Sequence, residues 1–449
     1  MSNELNAPLF STPEMTHVFS ARQQLRAMMR FEWALTCALE KQGMAEAGSG
    51  SIVEGLLDAG FVDVELLQRE AVDAGNIAIP FVRQLTARVK QENEGASRAI
   101  HLGATSQDVL DTALVLEMRD GLKLILDGVD RLEEALATQV RMHAATVITG
   151  RTWLQPGPPT TFGLKLAGTL AALRRHRVRI QAAAERALVI QLGGAVGTLA
   201  ALGSAGPEVS AEVARALELK EPELPWHTQR DNLVEVAQAL ALLVGTLAKF
   251  AKDIALLMQA EVAEASEPVW EGRGGSSTMP HKRNPVASAA VLAAAARVPG
   301  LIATLLAAMP QEHERGLGLW QAEWETLPEV FRLVAAALAR SIEIAEGIEV
   351  HPERMRANFD ALLGLTMAEA VAAALAGKIG RAAAHELLRQ AALDAVREKR
   401  SLAAVLKKQP AVIAHISDDE IDRLLEPGEY LGSAQRYIDR VLGEFDADR

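Results

Sequence analysis

The chain has 449 residues, of which 49% are hydrophobic, 23% charged and only 4% aromatic. That length supports a large core in two or three domains, and the abundance of alanine and leucine with few aromatics points to packed helices rather than a β-sandwich or barrel. A formal net charge of -12 removes any general attraction to nucleic acid, so an anion site has to be local.

The single cysteine, Cys37, excludes an intrachain disulfide and fits a cytoplasmic, reducing setting. The start, MSNELNAPLFSTPEM, lacks the basic and apolar regions of a signal peptide, so none is expected. Ser11-Thr-Pro-Glu14 reads as a capping box with an early helical proline, opening a helix that stops near Gly43. Shorter segments follow to about residue 100, with turns at Gly48–Gly50, Gly60 and Gly75.

The stretch His101-Leu-Gly-Ala-Thr-Ser-Gln-Asp108 leads into the longest helical run, 107–147, which contains no proline. Its hydroxyls and the free N–H groups of the helix start suit a carboxylate. The structural alternative is a plain N-cap by Thr105 or Ser106. Next comes Gly150-Arg-Thr-Trp-Leu-Gln-Pro-Gly-Pro-Pro-Thr-Thr-Phe-Gly163. Its prolines stop a helix, and Arg151, Thr152 and Gln155 supply donors beside the large ring of Trp153. The competing reading is an ordinary helix connection with Trp153 in the core.

Further helical runs cover 161–190, 232–266, 285–309 and 327–348, apolar over too much of their circumference for surface helices. They are expected at the centre of a bundle, with a kink at Pro299-Gly300. The most apolar of them reads as a buried core helix rather than a membrane span. Gly193-Gly194-Ala-Val-Gly197 follows no strand and completes no dinucleotide fingerprint, so a turn is expected there. P-loop, HExxH and paired CxxC motifs are absent, and the ten histidines do not cluster at metal-ligand spacing, so P-loop, zincin and zinc-ribbon readings fail. The polar stretch GRGGSSTMPHKRNP, 272–285, combines glycines for mobility with cations that can meet an anion. A solvated basic linker is the alternative. From about residue 360 the helices shorten. The division read from the sequence is 1–106, an N-terminal helical domain; 107–360, a long-helix bundle; and 361–449, a C-terminal helical domain.

GSSTMPHKRNP closely resembles the signature loop of the fumarase/aspartase superfamily. HLGATSQD and GRTWLQPGPPTTFG resemble its other two conserved segments, in the same order and over nearly the whole chain. The resemblance implies an all-α, three-domain fold. It also implies a homotetramer around a twenty-helix core, with each active site built from three subunits. The implied chemistry uses neither cofactor nor metal: a proton moves at the carbon next to a carboxylate, through a carbanion-like transition state stabilised by fixed cations and donors. The loop then resembles a lid closing over an anionic substrate.

Two departures narrow the reading. Many lyases of the superfamily carry an acid/base histidine where this chain has Trp153, and its partner glutamate where this chain has Ala289. Ala74-Gly-Asn-Ile-Ala-Ile-Pro80 likewise lacks the Arg-His-Asp of adenylosuccinate lyases. With ERGLGLWQAEW, the segments resemble the superfamily's lactonising cycloisomerases, in which the substrate's own carboxylate is the nucleophile and one general acid suffices.

By that resemblance Ser276 or Lys282 is the general acid. Between them the residues leave the choice open, since an ammonium among other cations also gives up its proton readily. Asn284, Thr105 and Ser106 bind carboxylates, His101, Arg151, His281 and Arg315 are further contacts, and Trp153 shapes the wall. The implied partner is a small tricarboxylate, not nucleic acid or membrane. A fumarate-releasing lyase and an inactive structural relative are the alternatives.

Overall fold

The computed structural model describes residues 5–269, 274–275, 279 and 282–447. Five long helices dominate it: α2 (Ser106–Met142), α3 (Phe162–Ala187), α4 (Asp231–Leu257), α5 (Val286–Ala308) and α6 (Leu319–Gly347). The N-terminal expectation of one helix resolves into two. Thr12, rather than Ser11, caps a short helix Pro13–Val18 by accepting from Met15 N. Ser20 then caps α1 (Ala21–Lys41) by accepting from Gln23 N. A fresh hydroxyl cap at Ser20 satisfies the orphan N–H groups that a break creates, which makes the break tolerable.

The chain forms two compact units, and every long helix contributes residues to both. The first comprises Met1–Gly128, His176–Gly245 and Ala293–Ala339. Its apolar core includes Met15, Phe31, Leu35, Leu116 and Phe331, all fully or nearly fully buried. Phe19 and Phe331 pack at a tilt of 54° with centroids 5.2 Å apart. Gly121 permits this packing, because a Cβ there would lie 2.9 Å from the Phe331 ring.

The second unit comprises Val129–Arg175, Thr246–Leu292 and Arg340–Arg449. Its C-terminal helices close around Val371, Leu375, Leu388, Leu402 and Leu406. It also holds β1 (Val147–Thr152) paired antiparallel with β2 (Gln155–Thr161), and a second two-stranded pair, β3 (Ala265–Ser266) with β4 (Glu349–Val350). The proline-rich segment is therefore a hairpin between two helices, not a structureless connection. A two-stranded ribbon has only edges, so Pro156, Pro158 and Pro159 remove no interior hydrogen bond of a larger sheet.

Helix α5 runs through Pro299 and Gly300 as one helix. Its most apolar window is only 22% buried within the chain, against 56% for the comparable window of α4. Both helices are long and apolar enough to cross a membrane by length and composition. Leu306 and Val286 of α5 are exposed, so the helix is not a core helix of this chain by itself.

Candidate active site

In the first unit, the head of α2 is built by Asp108. Its backbone N–H donates to Thr105 O at 2.9 Å, and its carboxylate accepts from Thr105 N at 3.0 Å, closing the first turn on itself. The same buried carboxylate accepts from Gly193 N at 3.1 Å and Gly194 N at 2.9 Å and lies 2.6 Å from His227 Nε2. The glycine pair is thus a turn pinned beneath the helix head. Gly194 has φ +68, and a Cβ on it would meet Gly103 O at 2.8 Å. Arg315 lies against this turn, donating to Gly194 O at 2.7 Å and to Gln107 Oε1 at 3.4 Å. Burial lowers the pKa of its guanidinium, while Asp108 and Asp111 pull the other way. Thr105 and Ser106 are half-buried at the helix start, with Arg315 held nearby by Gln107 and the turn.

His101 belongs to the same unit. Its Nδ1 lies 2.6 Å from Glu32 Oε1, and its backbone N–H donates to Glu32 Oε2 at 3.0 Å. Burial disfavours the charged imidazole, but the Glu32 charge and hydrogen bond, with Asp108 behind, raise its pKa overall.

The second unit holds the other sequence-selected residues. Arg151 makes a two-pronged bond to the fully buried Glu264, with Nη2–Oε1 at 2.7 Å and Nη1–Oε2 at 2.8 Å. Asn358 adds a donor to Glu264 Oε1 at 2.9 Å. Arg151 therefore anchors the hairpin to the Glu264 segment. The turn between the strands is Trp153-Leu154, with φ +54 and +64. Two successive positive φ angles fit a type I′ turn, which side chains other than Gly, Asn and Asp adopt at a cost. Trp153 is 97% exposed and Leu154 76% exposed, so the indole is not in the core of this chain.

Of the signature loop, Ser276 and His281 lie outside the described residues. Lys282 is exposed, and its backbone N–H donates to Met279 O at 3.0 Å. Asn284 donates twice to Gly274 O, from its backbone at 3.0 Å and from Nδ2 at 3.1 Å, tying the two sides of the loop together. Arg283 bonds Glu349 at 2.9 Å and Glu267 O at 2.6 Å. Buried Glu267 caps α5 by accepting from Ala287 N, Ser288 N and Ser288 Oγ at 3.0, 2.7 and 2.6 Å. The loop thus leaves and rejoins a fixed base.

Several charged residues escaped the sequence reading. Arg230 is 1% exposed and bonds Asp111 at 2.7 Å and Glu323 at 2.6 Å, with its guanidinium 4.9 Å from the Trp226 ring centroid. Trp320 Nε1 completes the set by donating to Asp111 at 3.0 Å. Asp108 was within reach as the acidic residue three after Thr105. Glu32, Glu264 and Arg230 carry no such local signal.

The chain matches known families along most of its length. A model described as "Lyase" matches residues 10–300, and one described as "Adenylosuccinate lyase C-terminus" matches residues 364–441. The chain is 51% identical to 3-carboxy-cis,cis-muconate cycloisomerase of Pseudomonas aeruginosa, over 99% of this chain and 97% of that one. Among solved structures, the 3-carboxy-cis,cis-muconate lactonizing enzyme of Pseudomonas putida superposes with a TM-score of 0.95 at 48% identity, covering 99% of both chains. The beta-carboxy-cis,cis-muconate cycloisomerase of Acinetobacter calcoaceticus gives 0.94 at 41%, covering 98% of this chain and 100% of that one. The chain belongs to the fumarase/aspartase superfamily of lyases, among relatives that are 3-carboxy-cis,cis-muconate cycloisomerases.

Proposed function

We propose that this chain converts 3-carboxy-cis,cis-muconate to 4-carboxymuconolactone, in the protocatechuate branch of the β-ketoadipate pathway. The observation that carries the reading is the tip of the β1–β2 hairpin, where an exposed indole, Trp153, stands in place of the superfamily's acid/base imidazole. Ala289 stands where the partner glutamate would be. A reaction that needs an enzymatic base is poorly served by this pair. Lactonisation needs none: a substrate carboxylate oxygen bonds to the β-carbon, and the π electrons move to the α-carbon and into its carboxylate. One proton from the enzyme then quenches the α-carbon, and solvent restores the acid.

Lys282 or Ser276 donates that proton, and Asn284 and His281 are further substrate contacts. Thr105 and Ser106, at the positive end of α2, hold a second carboxylate, with His101 and Arg315 near it. Arg151 serves mainly by holding the hairpin through Glu264, and Trp153 forms the wall against which the diene folds. Superfamily members act on small carboxylates and are typically oligomeric. A homotetramer with each site shared by three subunits is supported by the uncovered apolar face of α5 and by an indole presented outward at a strained turn. The single cysteine and the bacterial metabolic relatives support a cytoplasmic setting.

The test follows the loss of diene absorbance of 3-carboxymuconate and identifies the product by NMR. Fumarate release from adenylosuccinate or argininosuccinate, without lactone from the muconate, would replace this reading with a lyase.

A further inference from the structure

Glu32 lies in α1, 69 residues before His101, and its side chain is fully buried. One oxygen takes the imidazole Nδ1 and the other takes the backbone N–H of the same histidine. His101 has φ +59, a left-handed backbone that costs a non-glycine residue free energy unless its surroundings impose it. Glu32 imposes it by gripping ring and backbone together. The grip also fixes the ring: with Nδ1–H turned to Glu32, Nε2 is the nitrogen left to meet a ligand. The His101 side chain remains 18% exposed, so the ring reaches the surface while its partner does not.

We propose that Glu32 is a positioning residue of the active site, which orients His101 and balances its charge so that a cationic imidazole meets a substrate carboxylate at the head of α2. This rests on the reading of that helix head as a carboxylate site. The charged groups facing His101 are Glu32 from α1 and Asp108 from the first turn of α2, and both favour the imidazolium against burial. A carboxylate bound there therefore sees a positive ring below the raised pKa of His101 and a neutral one above it.

The experiment uses the full chain and compares wild type, Glu32→Gln, Glu32→Asp, His101→Gln and the Glu32→Gln/His101→Gln double variant. KM and kcat for 3-carboxymuconate are measured across pH, and the C2-proton exchange of His101, read by mass spectrometry, gives its titration midpoint without substrate. In Glu32→Gln the midpoint should fall by about one pH unit or more, and KM near neutrality should rise about tenfold with kcat changed less than about threefold. Glu32→Asp should recover part of both, and it carries the comparison if Glu32→Gln does not fold. In the His101→Gln background, Glu32→Gln should change KM by less than about twofold. An unmoved His101 midpoint, or a full further KM loss in the double variant, overturns the proposal. Absence of turnover by wild type, with the His101 midpoint still lowered in Glu32→Gln, would count against the functional reading and leave the coupling of the pair standing.

Discussion

Glu117 gives the sharpest test of the electrostatics in the first unit. It sits on α2, 6% exposed, on the wall of a cavity of about 260 Å³ lined also by His17, Arg26, Arg30 and Asp120. Burial, with Asp120 adding to it and Arg332 opposing, pushes its carboxyl from 4.5 up to about 8. The folded chain therefore keeps a proton that the unfolded chain releases, and stability must fall as pH rises from 4.5 towards 8. Between about pH 5 and pH 7 the loss is roughly 2–3 kcal/mol, from 1.36 kcal/mol per pH unit while the two states differ by almost one proton. Glu117→Gln keeps the shape of the neutral acid and cannot ionise. The variant should match wild type near pH 4.5 and exceed it increasingly as pH rises. Urea unfolding at fixed protein concentration across this range measures the difference. A gap between variant and wild type that does not change with pH would refute the reasoning, as would a variant less stable at pH 7.

At the hairpin tip, Trp153→Phe should retain more lactonisation than Trp153→His, which should lose about ten- to hundredfold and gain no fumarate release, because Ala289 offers an imidazole no carboxylate partner. A faster Trp153→His would show that the indole is not the wall. Ser276→Ala and Lys282→Met should each lower turnover by about 10²–10⁴ with little change in melting temperature, and near-full turnover in either removes that residue as the acid. Mixed and refolded Ser106→Ala and Lys282→Met subunits should regain activity over both parents. No gain after verified subunit exchange would speak against sites shared between chains. Glu264→Gln should cost about 3 kcal/mol in urea unfolding by leaving the Arg151 guanidinium without its ionic partner, and a loss below about 1 kcal/mol would mean that the pair does not anchor the hairpin.

Much of the fold was legible in the sequence because helices declare themselves locally. The runs around α2, α3, α4 and α6 carry apolar periodicity and few breakers; those for α2 and α3 end within five residues of the helices, while the run for α4 overshoots Leu257 by nine residues and that for α6 begins eight residues after Leu319. Helix α5 is legible too, though not which chain covers it. A uniformly apolar sequence shows that a helix must be covered, and not whether its own chain provides the cover. The polar segments around His101–Asp108, Arg151–Gln155 and Gly274–Asn284 were also visible, since hydroxyls, cations and glycines grouped within a few residues need no fold to be noticed.

What the sequence by itself determined was therefore helical character and the location of the chemistry along the chain. Tertiary structure decided the partners. It turned a proline-rich break into a hairpin with Trp153 at its tip, engaged Arg151 with Glu264, set Glu32 beneath His101, and enclosed Arg230 between Asp111 and Glu323. The members of these ion pairs lie about 70 to 120 residues apart in the chain. A buried charge needs a counter-charge within hydrogen-bond reach, and which residue supplies it depends on how helices distant in sequence pack together, which no local pattern of residue types encodes.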